Sequence, residues 1–343
     1  MPQARFDFID QAKAIGIVLV ILGHAPGIPA GLVTWIYSFH MPLFFFLSGF
    51  LLNQRKLAMA PGAYLGQLLR TLGLPYLLFF AASYAYWLAT RHLGARAAKF
   101  AGVSWQDPLF GWLSGIGSEI IVNVTLWFFP CLITTAFLYH LARKAMGASA
   151  ALLVCAVLGG LDAGYAGHLP ARLPWGLDNA WAALAFYAFG QWLRVRPLAL
   201  DGPARLPLAA GALLSAALSA LLADLNGRVD LNYANFGTYP VLYFPTALGG
   251  IAAVLGTASL MPSNGLSTWL ARHTLLLFPS HTIVINFLSG LGKLVFRLPE
   301  SFFTTPWFGL IGLAGAIAAC LPLAYLVRQT AHLGRLRWAR SAP

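Results

Sequence analysis

The chain has 343 residues, of which 59% are hydrophobic and 9% charged, with a mean hydropathy of +0.72. That balance excludes a soluble globular protein and indicates an integral membrane protein. The net charge of +12 is spread over several short polar breaks without interleaved stacking aromatics, which makes anionic membrane lipids the expected charge partner and argues against nucleic acid.

Apolar runs long enough to cross a bilayer recur along the chain. They predict ten transmembrane helices, over 8–27, 31–52, 68–90, 118–142, 148–166, 177–194, 206–225, 238–260, 268–290 and 307–328. No interval between them is long and polar enough for a separate soluble unit. The expectation is therefore all-α: a polytopic membrane protein with about ten helices in one bundle, one domain over residues 1–343, with neither an internal repeat nor a low-complexity segment. With the N-terminus inside, fifteen of the 22 Lys and Arg residues fall on the cytoplasmic side, so both termini are expected in the cytoplasm.

The first span opens on Asp10 and Lys13, which interrupt the start of the apolar run and make it a retained helix rather than a cleaved signal peptide. At about 100° per residue, Asp10, Lys13 and His24 share one face, and Lys13 and His24 stand roughly 16 Å apart along the axis. Asp10 and Lys13 also suit a plain interfacial role, since long side chains snorkel. His24 does not, because it lies at the far end of the run, where an ionisable group is costly unless it faces protein or water.

The second span carries His40, followed by Met41 and Pro42, and a proline there removes a hydrogen bond and predicts a kink. Ser48 and Gly49 near its end allow a neighbouring helix to approach closely. In the fourth span, Trp127 supplies an amphipathic aromatic and Pro130 predicts a kink near the middle. The ninth span gathers His273, Ser280, His281 and Asn286, with Pro279 just before His281.

Between the seventh and eighth spans, DLNGRVDLNYANFGTYP is the longest polar and aromatic stretch. Its Asn232 and Tyr233 suit a sugar, with hydrogen bonds for the hydroxyls and a ring for the apolar face, although the stretch also reads as an ordinary solvated loop. No histidine pair within a span has the spacing of a helical metal site, so no metal is expected. Cys131, Cys155 and Cys320 read as small buried hydrophobes.

The order of Asp10, Lys13, Gly23-His24, SFHMPLFFFLSGFLL, Arg70 with Pro75-Tyr76, LWFFP and HTLLLFPSH resembles the membrane acyltransferase 3 family over nearly the whole chain. Within it, the resemblance is to the sugar O-acetylases, the group that includes fucose 4-O-acetylase-like and exopolysaccharide acetyltransferases. Lys13 matches the family's basic residue ahead of its first histidine, which is His24 here, and His281 matches a later histidine. Gln67 stands where a second arginine often accompanies the one matched by Arg70.

The resemblance implies transfer of an acyl group from a cytoplasmic acyl-CoA to a hydroxyl of a sugar in a cell-surface or exported polysaccharide, or in its lipid-linked precursor. Acetyl-CoA is then the donor substrate, no cofactor is permanently bound, and the setting is a bacterial inner membrane. In that reading Lys13 and Arg70 hold the donor's phosphates, Asp10 pairs with one of them, His24 is the general base, and His40 is a second acid/base or orients the acceptor. Trp127, His281, Asn232 and Tyr233 form the expected acceptor set. A neutral imidazole suits the task, because a hydroxyl needs its proton removed as it attacks a thioester. A proton-coupled transporter or flippase for a sugar-like or lipid-linked solute is the alternative, since kinked helices with mid-membrane histidines serve transport too.

Overall fold

The computed structural model describes residues 7–165, 171–196 and 205–341. Arg5, which enters the charge asymmetry above, lies outside them. The protein is an all-α, polytopic membrane protein. Each expected span holds a long helix: α1 Asp7–His24, α2 Ala30–Phe50, α3 Pro61–Thr90, α4 Phe128–Ala145, α5 Ala148–Tyr165, α6 Leu177–Arg194, α7 Arg205–Asn226, α8 Tyr243–Leu260, α9 Thr274–Leu294 and α10 Pro306–Ser341. Among the described residues, eight helices are long and apolar enough to cross a membrane. The two helices outside that group are α1, which carries Asp7, Asp10 and Lys13, and α6, which has Asp178 in its first turn.

Those two are among the most enclosed elements. α1 packs against α2, α8 and α9, and α6 against α2, α4 and α5, so Asp178 is buried in protein and Asp10 and Lys13 are largely enclosed by it. The α2–α6 crossing is a reciprocal glycine contact. A β-carbon on Gly49 would run into the Tyr187 carbonyl, and one on Gly190 would run into the Phe46 carbonyl. Small residues at both positions let the two backbones touch, which is how apolar helices associate when lipid offers no hydrophobic drive.

Several boundaries depart from the sequence pattern. The fourth span begins at Val124 in a short 3-10 turn, and residues 118–123 are non-helical. Pro130 therefore falls in the first turn of α4, where a missing N–H costs nothing, and does not kink the middle of a span. α2 continues through Pro42 and α9 through Pro279. The ninth span is two helices, Gly265–Arg272 and α9, which meet at His273. There the His273 ring lies 4.6 Å from that of Trp269 and its Nδ1 contacts the Trp269 carbonyl at 2.7 Å, so His273 is a helix-end residue far from the other histidines' group. The three cysteines are buried and free.

Candidate active site

Three helices bring three imidazoles together. Ring centroids of His24 and His281 are 5.0 Å apart, and those of His24 and His40 are 6.1 Å apart, each pair edge to face. The arrangement follows from helix geometry: His24 ends α1, His40 sits halfway along α2, and His281 follows Pro279 in α9. Each ring turns back on its own helix. Nδ1 of His24 meets the Val20 carbonyl at 2.9 Å, that of His40 the Ile36 carbonyl at 2.9 Å, and that of His281 the Leu277 carbonyl at 3.3 Å.

A carbonyl oxygen only accepts, so Nδ1 donates in all three. A neutral ring then keeps its lone pair on Nε2, the atom a general base uses. His281 is fully buried and its Nε2 has no hydrogen-bond partner. His24 and His40 line a cavity of about 220 Å³ with Tyr37, Trp127, Asn232 and Tyr233. Among the described residues, no group of three or more His, Cys, Asp or Glu residues is placed to hold a metal ion.

The wall of this cavity comes from the polar segment after α7. Asp230 opens a 3-10 turn, Leu231–Tyr233, with its carboxylate accepting from the Asn232 amide N–H at 3.1 Å. Asn179 donates to the Asn232 carbonyl at 3.3 Å, and Arg172 donates to Asn179 at 3.0 Å while paired with Asp178. The Arg228 guanidinium stacks 3.5 Å over Tyr37, whose ring is 4.8 Å from His40. Burial raises the Asp230 carboxyl pKa above its ordinary value, and the nearby Arg228 charge opposes that shift.

A second cavity, of about 400 Å³, lies toward the start of α1 and is lined by Asp10, Lys13, Ser48, Arg272 and Thr274. Lys13 pairs with Asp10 at 3.5 Å. Phe278 belongs to the walls of both cavities, with its ring 5.1 Å from Phe128 and 6.5 Å from Phe44. A third space, a cleft of about 440 Å³, shares Val124 and Tyr233 with the walls of the histidine cavity and none of its lining with the Lys13 cavity. Three spaces therefore follow one another through the bundle, with Lys13 and Arg272 beside the first and the histidines at the second.

Of the residues expected from sequence, His24, His40, His281, Trp127, Asn232 and Tyr233 converge, and Asp10 and Lys13 lie together at the second cavity. Arg70 does not join them. It is exposed and lines a separate groove with Trp112 and Trp175. The helix explains the separation: Arg70 lies in a π-helical turn, Leu69–Gly73, and Leu72, two positions on, is the residue facing the Lys13 cavity. Residues two apart on a helix point to opposite sides.

Arg272 lies beside Lys13 at this cavity where Arg70 was expected, and nothing in its sequence neighbourhood singles it out. Tyr37 was also missed, although its position three residues before His40 puts both on one helix face. Arg228 and Asn123 gave no local signal. Asn123 is buried and saturated: its amide nitrogen donates to the Pro279 carbonyl at 2.7 Å and Ser83 at 3.1 Å, and its oxygen accepts from Thr125 and Thr282. It fixes α9 around Pro279, two residues from His281.

Residues 6–325 match the family model described as an acyltransferase domain. The chain belongs to the acyltransferase 3 family. No curated protein and no solved structure matches it. Membership in this family makes the protein a membrane acyltransferase and favours group transfer over the transport alternative.

Proposed function

We propose that the protein is an O-acetyltransferase that moves an acetyl group from cytoplasmic acetyl-CoA to a sugar hydroxyl of an exported or cell-surface polysaccharide, or of its lipid-linked precursor, in a bacterial inner membrane. The observation that supports this most directly is the order of the spaces: a cation-lined cavity, three Nδ1-anchored imidazoles, and a polar cleft beyond them. Lys13 and Arg272 hold donor phosphates in the inner cavity, Arg by bidentate contact and Lys as a point charge. The arm bearing the thioester passes Phe278 to reach His24, over roughly 16 Å along α1.

At the histidines, His24 Nε2 removes the proton from the acceptor hydroxyl as its oxygen attacks the thioester carbonyl carbon. The carbon–sulfur bond breaks, an O-ester forms, and the departing thiolate takes the proton from the imidazolium to leave CoA as a thiol. His40 acts as a second acid/base or orients the acceptor, and an acyl-histidine intermediate is the other route these residues support. Trp127, Asn232 and Tyr233 bind or orient the acceptor, and His281 helps orient it through its contact with His24.

The test is release of free thiol from acetyl-CoA by the purified protein offered a panel of glycans and lipid-linked sugars, alongside His24→Ala. Acceptor-dependent release that the folded variant loses supports the proposal. Release that persists in the variant removes His24 from the chemistry and sinks the mechanism.

A further inference from the structure

We propose that the outer cleft is a binding subsite for the sugar residue adjoining the one that is acylated, so that the enzyme reads at least two residues of its acceptor. This rests on the sugar O-acetylation reading above and adds to it a site and a length requirement.

Size gives the first argument. The histidine cavity, at about 220 Å³, is the smaller of the two spaces and takes the sugar ring that is acylated. The outer cleft is twice as large, and the two have Val124 and Tyr233 in common in their walls. A saccharide with one residue at His24 would extend its neighbour into this space.

The lining gives the second. Ser118 and Asn286 offer a hydroxyl and an amide, Ile120 and Val122 are apolar, and no carboxylate lines the cleft. That mixture suits a sugar, whose edges carry hydroxyls and whose faces are apolar. Tyr233, 52% exposed, borders both spaces and can stack on a ring in either. Lys99 is the charged group of the cleft, so the neighbouring residue is a neutral or acidic sugar rather than an amine-bearing one.

The junction gives the third. Asn232 is 3% exposed, and neither Oδ1 nor Nδ2 of its side chain has a partner. This amide lines the histidine cavity on one side, and on the other it fills the space a side chain on Gly117, in the wall of the cleft, would need. An unsatisfied buried amide is costly, and this one, enclosed between the two spaces, gains partners if its side chain turns toward linked sugars there. Hydroxyls flanking the glycosidic bond would satisfy both atoms.

The experiment measures transfer of labelled acetyl from acetyl-CoA to a glycan array carrying each terminal sugar both as a simple glycoside and within longer chains. It compares native protein with Asn286→Trp and Ser118→Trp, two bulky substitutions that fill the cleft at exposed positions on separate elements. The expected result is a preference for the longer glycan of about ten-fold or more in native protein, about 1.4 kcal/mol or more, collapsing to within about two-fold in a folded variant. Equal transfer to single and linked sugars by native protein, or a preference that survives both substitutions, overturns the subsite. Transfer to no glycan at all overturns the sugar-acetylation reading itself, a separate outcome seen in native protein alone.

Discussion

The His24 and His281 rings meet edge to face at 5.0 Å, although they come from the first and ninth long helices. Their Nδ1 atoms are both held by their own helices, but only His24 also lines the cavity, so the two should not be equivalent in catalysis. His24→Ala is expected to lower kcat by about 10²- to 10⁴-fold, the usual contribution of a general base. His281→Ala should cost about ten-fold, through looser placement of His24. Steady-state rates on protein shown to be folded by its melting curve check this, and a larger loss at His281 would reverse the assigned roles.

Protonation of the base removes the lone pair that accepts the hydroxyl's proton. Activity should therefore be lost as pH falls through the pKa of His24, with kcat/KM declining by about ten-fold per pH unit on that limb. The residual activity of His24→Ala should lack the limb. A pH profile of the variant that still bends at the same place would assign the titration to another group.

Lys13 and Arg272 share the inner cavity, and Arg70 faces a different groove. Removing a charged hydrogen-bonding partner costs about 1.5–3 kcal/mol, so Lys13→Gln and Arg272→Gln should each raise the KM for acetyl-CoA by about ten-fold or more. Arg70→Gln should change it by less than about two-fold. An equal rise in all three would mean that the donor reaches the Arg70 groove.

Asn123 holds four groups at once, including the Pro279 carbonyl. Asn123→Ala should leave buried polar atoms unpaired on α9 and on Ser83, at about 1–3 kcal/mol for each group so stranded. The expected outcome is a lower melting temperature together with a drop in kcat that exceeds any change in KM for acetyl-CoA. A fall in melting temperature with kcat unchanged would limit Asn123 to stability.

Much of this was legible in the sequence because membrane helices announce themselves by length and hydropathy, and because ionisable residues are rare within them. His24, His40 and His281 stood out for that reason, as did the glycine approach at Gly49. The failures share a cause. The resemblance places Arg70 with Lys13, but the π turn that directs it elsewhere has no marker in composition. Pro130 looks mid-span, and His273 looks part of one unbroken ninth span, because hydropathy runs on past the true helix ends at Val124 and Arg272. Asn123 and Arg228 act across the bundle, on Pro279 and Tyr37, and no local spacing encodes such a contact.

The aromatic packing around Phe278 has an electrical consequence. A path that admits a charged donor at one end and a hydrophilic acceptor at the other would, if continuously wet, let protons run down the membrane potential. Phe278, set against Phe44 and Phe128, puts an apolar ring in the walls of both the Lys13 cavity and the histidine cavity, where it disfavours a continuous file of water. The protein can thus present polar spaces toward both sides of a bilayer while remaining an insulator.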